Sequence, residues 1–301
     1  KENNVAVIGS SHSYDALGYF INKESVLNLT GAYTVPTVMY FKLKKSLELM
    51  AKIKILYIEA DYHLFYGGPL YVSSRSDGVK RWAAFFEPSS KDKLGDIYQG
   101  ISIPNALTDF TFSSLKKNIA PILVKRTFEE YFREPKLSIS IKPNYAKICD
   151  DDIWAKYLKK IKDDIIIDSK FWFDLTSEEK YKNAYGRQTE GFGMFDGAIL
   201  DLTMIDYYKK MLSLAADNNI IVKIIRNPFP KEYIGSIPKN IIDDVDQFLY
   251  SVREVYDLDV LDYRYIFENQ SEMFYNADHV NQKGSVIVSD LIRGDYCNTI
   301  H

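Results

Sequence analysis

Two short stretches near opposite ends of the chain carry residue types that could act together on an ester carbonyl. The first is Gly9-Ser10-Ser11-His12-Ser13, where an apolar run (VAVI) breaks into a helix. A serine at a strand-to-helix turn exposes its hydroxyl and brings its backbone N–H to a helix N-terminus, where it can help hold a developing oxyanion. Serine is also a good N-cap whatever else it does. The second stretch is FYNADHVNQKGS, residues 274–285, a loop between the last strand signal and a final helix. His279 in that loop could act as general base to a serine hydroxyl, provided a third group fixes its tautomer. Of the 4 histidines (12, 63, 279 and 301), it is the one in a loop of the required kind.

Such an arrangement needs both stretches at one edge of a sheet. Short Val- and Ile-rich runs recur at 5–10, 26–30, 53–60, 220–227 and 258–264, as expected of parallel strands covered on both faces. Helical periodicity lies between them. Tyr40, Leu43, Leu47 and Met50 share one stripe, and Ile205, Tyr208, Leu212 and Ala215 share another, with Asp201 as N-cap and DNN (217–219) as the stop. This β-α alternation predicts a three-layer α/β fold with a mostly parallel sheet. Ligands of such sheets bind beyond the carboxyl ends of the strands, where the Ser10–Ser13 turn sits. Residues 62–199 break the alternation and read as a large, mainly helical insertion (a cap) within a single domain spanning 1–301.

The net charge of -3 and pI near 5.9 give no sign of a nucleic-acid partner, and the KLKK run (42–45) reads as a solvated helix face. No stretch reaches the roughly 18–20 apolar residues of a membrane span. The 23 tyrosines either pack or line a sugar groove. Cys149 and Cys297 could form a disulfide, but nothing in their spacing requires one. Asp61-Tyr62-His63 and the DDD run at 150–152 lack a second cluster to complete a metal-ligand set, so no metal and no cofactor is expected. The glycines of GRQTEGFG (186–193) lack the Lys-Ser/Thr ending of a phosphate loop. Arg187 in that segment could still reach the cleft, and His12 is expected at its rim.

Taken together, the motifs resemble the SGNH/GDSL hydrolase superfamily, with the nearest likeness to its membrane-associated branch: alginate-type polysaccharide O-acetyltransferases and DltD-like proteins. The G-x-S block corresponds to Gly9-Ser10-Ser11, making Ser11 the implied nucleophile. The glycine block after the second strand corresponds to Gly31, an implied oxyanion donor together with the Ser11 N–H. The H-[LV]-N-x-x-G block corresponds to His279, Asn281 and Gly284. The likeness spans about 1–61 and 200–293 and implies a flavodoxin-like α/β/α fold.

Two positions depart from the family pattern. Where the third block has an oxyanion-donating Asn, this chain has Asp61, which could instead bind a substrate hydroxyl. Where the triad Asp belongs, three residues before His279, stands Asn276, while Asp278 directly precedes the histidine. Asn276 could fix the tautomer, Asp278 could do so through a tight turn, or a Ser-His dyad could act alone. The resemblance implies serine-dependent O-acyl transfer, most simply O-acetyl, from an acyl donor to a cell-envelope or secreted polysaccharide. A carbohydrate acetyl-esterase and a non-catalytic glycan-binding protein are the alternatives. It further implies an extracytoplasmic location, an N-terminal membrane anchor preceding Lys1, and a membrane-bound O-acyltransferase as partner.

Overall fold

The computed structural model describes residues 5–21, 26–31, 34–49, 52–66, 148–164, 170–192 and 198–300. Five strands form one sheet in the order β2-β1-β3-β4-β5. They are β1 (Val5–Ile8), β2 (Val26–Asn28), β3 (Ile55–Glu59), β4 (Ile221–Arg226) and β5 (Asp259–Asp262). Every pairing is parallel, with Val5 beside both Val26 and Ile55, and Glu59 beside Ile225. Each strand lies inside one of the five apolar runs. Continuous apolar character follows from position: β1 and β3 are buried along their whole length, whereas the edge strand β5 is exposed at both ends.

The chain passes from β1 outward to β2 and then back across β1 to β3. That reversal puts a topological switch point at the carboxyl ends of β1 and β3, where an open α/β sheet forms its crevice. Helices α1 (Ser11–Ala16) and α2 (Gly18–Ile21) follow β1, and α3 (Pro36–Leu49) follows β2. Beyond β3 come α4 (Asp151–Asp164), α5 (Lys170–Phe173), α6 (Ser177–Gly186) and α7 (Leu202–Asp217). Then α8 (Lys231–Ser236) and α9 (Lys239–Tyr256) link β4 to β5, and α10 (Gln282–Ile300) ends the chain. The α3 and α7 helices pack together, and Tyr208 of α7 meets Phe248 of α9 edge-on at 5.7 Å. The α10 helix packs on α1 and α2, where Ser289 Oγ accepts from the Phe20 amide at 3.2 Å. The result is a three-layer α/β fold of flavodoxin-like topology.

Local signals explain several boundaries. Asp201 caps α7 by accepting from the amides of Thr203 and Met204, and Asn219 adopts a left-handed φ of 54° just past the helix end. One polar group inside the layers links β3, β4 and α10. Lys223 of β4 lies 2.7 Å from Asp295 of α10, whose other oxygen accepts from Tyr57 of β3 at 2.8 Å.

One surface expectation fails. Lys42 is buried, not solvated, and its Nζ donates to the carbonyl of Leu29 at 2.9 Å and to Thr34 Oγ1 at 3.1 Å. The loop after β2 exposes backbone carbonyls toward α3, and a buried ammonium satisfies them. Burial pushes the Lys42 pKa down to about 7.

Most of the expected insertion, 67–147, lies outside the described residues. Its described parts are a 3-10 turn at Tyr62–Leu64, an antiparallel bridge between Tyr66 and Leu200, helices α4 to α6, and a π-helical turn at Arg187–Phe192. A disulfide joins Cys149 to Cys297 and so ties the segment before α4 to α10. Beside it, Trp154 Nε1 donates to Asp290, and Arg293 Nε donates to the Ile148 carbonyl at 2.7 Å. No described helix is long and apolar enough to cross a membrane.

Candidate active site

The turn after β1 is built around a buried carboxylate. Glu59, at the end of β3, accepts from the Ser10 amide at 2.7 Å, the Ser10 hydroxyl at 2.6 Å and the Ser13 amide at 3.3 Å. It thereby satisfies amides at the start of α1 that the helix cannot satisfy itself. Ser10 is the N-cap, accepting from the His12 amide at 3.2 Å. Gly9 is required by close approach, since a Cβ there would meet Glu59 Oε2 at 2.5 Å and Ser13 Oγ at 2.7 Å. Ser11, the first residue of α1, is thus held at the sheet edge with its side chain partly exposed.

The His279 loop is fixed from its far side. Asn281 Oδ1 accepts from the amides of Lys283 and Gly284, capping α10, while its Nδ2 donates to the Glu272 carbonyl at 2.7 Å. Gly284 allows that approach, because a Cβ would meet the Met273 carbonyl oxygen at 2.7 Å. Ahead of the histidine, Asn276 Oδ1 accepts from the amides of Asp278 at 3.0 Å and His279 at 2.8 Å. This Asx-type turn swings the two neighbouring side chains together.

These anchors bring Ser11 Oγ to 2.9 Å from His279 Nε2. His279 Nδ1 lies 2.9 Å from Asp278 Oδ1 and 3.2 Å from Asn276 Oδ1. With Nε2 accepting the serine proton, Nδ1 carries the ring proton and donates to Asp278, the nearer and charged oxygen. Asp278 is buried. Burial alone would raise its pKa, but hydrogen bonds with His12 and His279 outweigh this and hold the carboxyl well below the usual range. Serine, imidazole and ionised carboxylate in series form an activated-nucleophile arrangement.

The remaining expected residues divide. Arg187 does reach the site, donating from Nε to Asp278 Oδ2 at 2.7 Å with its side chain 42% exposed. His12 is not at the rim: it is 2% exposed, with its ring wedged among His63, His279 and Phe229. Its Nε2 lies 3.1 Å from Asp278 Oδ2 and its Nδ1 3.4 Å from Asp61 Oδ2. Asp61 also turns inward, accepting from the amide and the side chain of Asn227 at 3.0 and 2.8 Å, and so does not face a substrate. Gly31 sits beside the nucleophile turn, but its amide donates to the Gly9 carbonyl at 3.1 Å. In this arrangement that N–H ties β2 to β1 and does not face Ser11.

Residues that the motifs did not flag complete the site. Asp15 Oδ2 lies 3.9 Å from His279 Nε2 and accepts from the Tyr275 hydroxyl at 3.2 Å. The Tyr275 ring stacks on His279 at 5.5 Å with the residue 41% exposed. Glu59 and Asn227 had a readable signal, since each ends a long apolar run with a polar residue that must find partners once buried. His12, Glu59, Asp61 and His63 place ligand-type atoms within 4.8 Å of one another, as do His12, Asp278 and His279. A cation there would compete with Ser10 and Ser13 for Glu59, with Asn227 for Asp61, and with Ser11 for His279.

No protein-family model and no curated protein matches the chain. Among solved structures, it is similar to a Bacteroides fragilis protein provisionally described as an acylhydrolase. That match has 8% identity and a TM-score of 0.43, and it covers 99% of this chain and 88% of the other.

Proposed function

We propose that the protein is a serine-dependent acyl-ester enzyme working through an acyl-Ser11 intermediate. The observation that carries this reading is the 2.9 Å approach of Ser11 Oγ to His279 Nε2, with Nδ1 of the same ring on Asp278. Ser11 Oγ attacks the ester carbonyl carbon while its proton passes to His279 Nε2. The ester C–O bond then breaks, and the leaving alcohol takes that proton. A water or acceptor hydroxyl next attacks the acyl-serine, giving its proton to Nε2, and Ser11 Oγ recovers it as the acyl group departs. The Ser11 amide, at the start of α1, is the oxyanion donor of this reading. Ionised Asp278 keeps Nδ1 protonated and stabilises the imidazolium that forms in each half-reaction.

The finer reading is O-acetyl transfer to a cell-envelope or secreted polysaccharide, with hydrolysis of carbohydrate acetyl esters as the alternative outcome of the same intermediate. It rests on the motif resemblance and on the exposed Tyr275 ring beside His279, an aromatic surface of the kind that packs on sugar rings. The Cys149–Cys297 disulfide supports an extracytoplasmic site of action, since such bonds persist in oxidising compartments. An acyl donor, a polysaccharide acceptor and a membrane-bound O-acyltransferase are the partners this reading implies. The test is acceptor competition: the protein is incubated with p-nitrophenyl acetate and oligosaccharides, and products are followed by mass spectrometry. Acetylated oligosaccharide supports transfer, whereas release of acetate alone assigns the protein as an esterase. Absence of any turnover, with Ser11 unlabelled by a fluorophosphonate, leaves only the glycan-binding reading.

A further inference from the structure

We propose that His12 is a positioning residue for the Ser11–His279–Asp278 array, its imidazolium bridging Asp61 and Asp278 so that Asp278 presents Oδ1 to His279. The inference rests on the acyl-serine reading above. The two oxygens of Asp278 have different partners. Oδ1 faces His279 Nδ1 at 2.9 Å, while Oδ2 meets Arg187 Nε at 2.7 Å and His12 Nε2 at 3.1 Å. The Arg187 side chain is 42% exposed, so water and salt compete for its grip. His12 is enclosed, and its hold is not diluted in this way.

Its ring is also over-determined. His63 packs edge-on at 4.3 Å, His279 at 4.8 Å and Phe229 at 5.2 Å. Its backbone is fixed in the nucleophile turn by Ser10 Oγ, and its far nitrogen faces Asp61, itself anchored by Asn227. A single side chain therefore links the turn carrying Ser11, the end of β3 and the loop carrying His279.

Both ring nitrogens face carboxylate oxygens, and two such contacts are favourable together only when both nitrogens carry protons. The titratable and charged groups around the ring are Asp61, Glu59 and His63 from the end of β3, Asp278 and His279 from the last loop, Asp15 from α1, and Arg187 behind Asp278. Burial alone would depress the His12 pKa. The hydrogen bond with Asp278 and the close approach of Asp61, with the charges of Asp278 and Glu59 added, overcome this and push it up to about 10. A fixed positive charge thus sits where buried carboxylates would otherwise repel one another.

The test uses the full chain with p-nitrophenyl acetate as substrate and imidazole 15N NMR as an independent readout. His12→Ala is expected to lower kcat about 10- to 100-fold, the usual size of effect for an outer hydrogen-bond partner, with KM within about twofold. His12→Gln, which keeps one donor, should recover part of that loss. The acid limb of its kcat/KM profile should move to higher pH, because a cation facing the His279 ring has gone. In the wild-type protein at pH 8, both His12 nitrogens should be protonated, and Asp278→Asn should release one of those protons. A neutral His12 at pH 8, or an unchanged kcat in both variants, would overturn the proposal. The NMR result decides even if the variants fail to fold. If the wild-type protein neither turns over ester nor labels at Ser11, the acyl-serine reading fails, while the NMR still reports whether His12 is the cation holding Asp278.

Discussion

Asp278 and His279 are neighbours in the chain, yet their side chains face each other, with Asp278 Oδ1 2.9 Å from His279 Nδ1. Adjacent residues usually point apart. Here Asn276 folds the backbone into a tight turn by accepting from both of their amides. The orienting role is therefore split: Asp278 supplies the charge, and Asn276 supplies the geometry that makes the charge usable.

This division predicts unequal losses. Asp278→Asn removes the charge opposite the imidazolium and is expected to lower kcat by about 10³- to 10⁴-fold on an ester substrate. Asn276→Ala leaves that charge and loosens the turn, so about a tenfold loss is expected, with a lower Tm. Steady-state kinetics on the two variants check this. A reversed order would hand the orienting role to Asn276.

The buried charges around the site predict a stability maximum in mildly acidic solution. Asp278 is depressed in the fold by His12 and His279 against its burial, so its contribution is present above the ordinary value of 3.8 and is lost as pH falls below it. Glu59 is raised from 4.5 to about 7 by burial and by the Asp61 charge, so the fold binds more protons there than the unfolded chain and loses stability as pH rises from 4.5 to 7. His12, raised from 6.5 to about 10, contributes fully below 6.5 and loses its contribution as pH rises toward 10. Thermal unfolding from pH 3 to 10 should therefore show its highest Tm near pH 4, between 3.8 and 4.5, and Glu59→Gln should flatten the decline between 4.5 and 7. A Tm that climbs steadily to pH 8 contradicts this assignment.

The disulfide predicts a large effect from a distant site. Cys149 and Cys297 are 148 residues apart, and closing a loop of that length restricts the unfolded chain by up to about 5 kcal/mol on entropic grounds. Cys297→Ser should lower the Tm markedly while Ser11 remains reactive, because α1 and the His279 loop are held by separate contacts. Alkylation without reductant should find no free thiol, and two alkylated cysteines would contradict the pairing.

Much of the scaffold was legible because burial leaves a plain mark. The strands announce themselves by short runs rich in Val, Ile and Leu, and Asp201 announces the start of α7. The α9 helix, which was not read from the sequence, buries Ile241, Val245, Phe248, Leu249 and Val252 on one face. Lys42 and His12 were misplaced for a common reason. A polar residue looks solvated in a sequence, and only tertiary contacts reveal that backbone carbonyls or carboxylates await it inside. Asp61 and Gly31 were assigned by motif position, but Asn227 claims the first and the Gly9 carbonyl claims the second. The choice between Asn276 and Asp278 depended on a turn whose geometry no spacing rule conveys.

Activation of Ser11 by His279 can be read directly from the reactivity of the serine itself. Fluorophosphonate labelling followed by peptide mass spectrometry measures that reactivity and locates it in the chain. A single adduct on Ser11 is expected, abolished in Ser11→Ala and strongly slowed in His279→Ala. An unlabelled protein, or an adduct on Ser10 or Ser13 in its place, would contradict it.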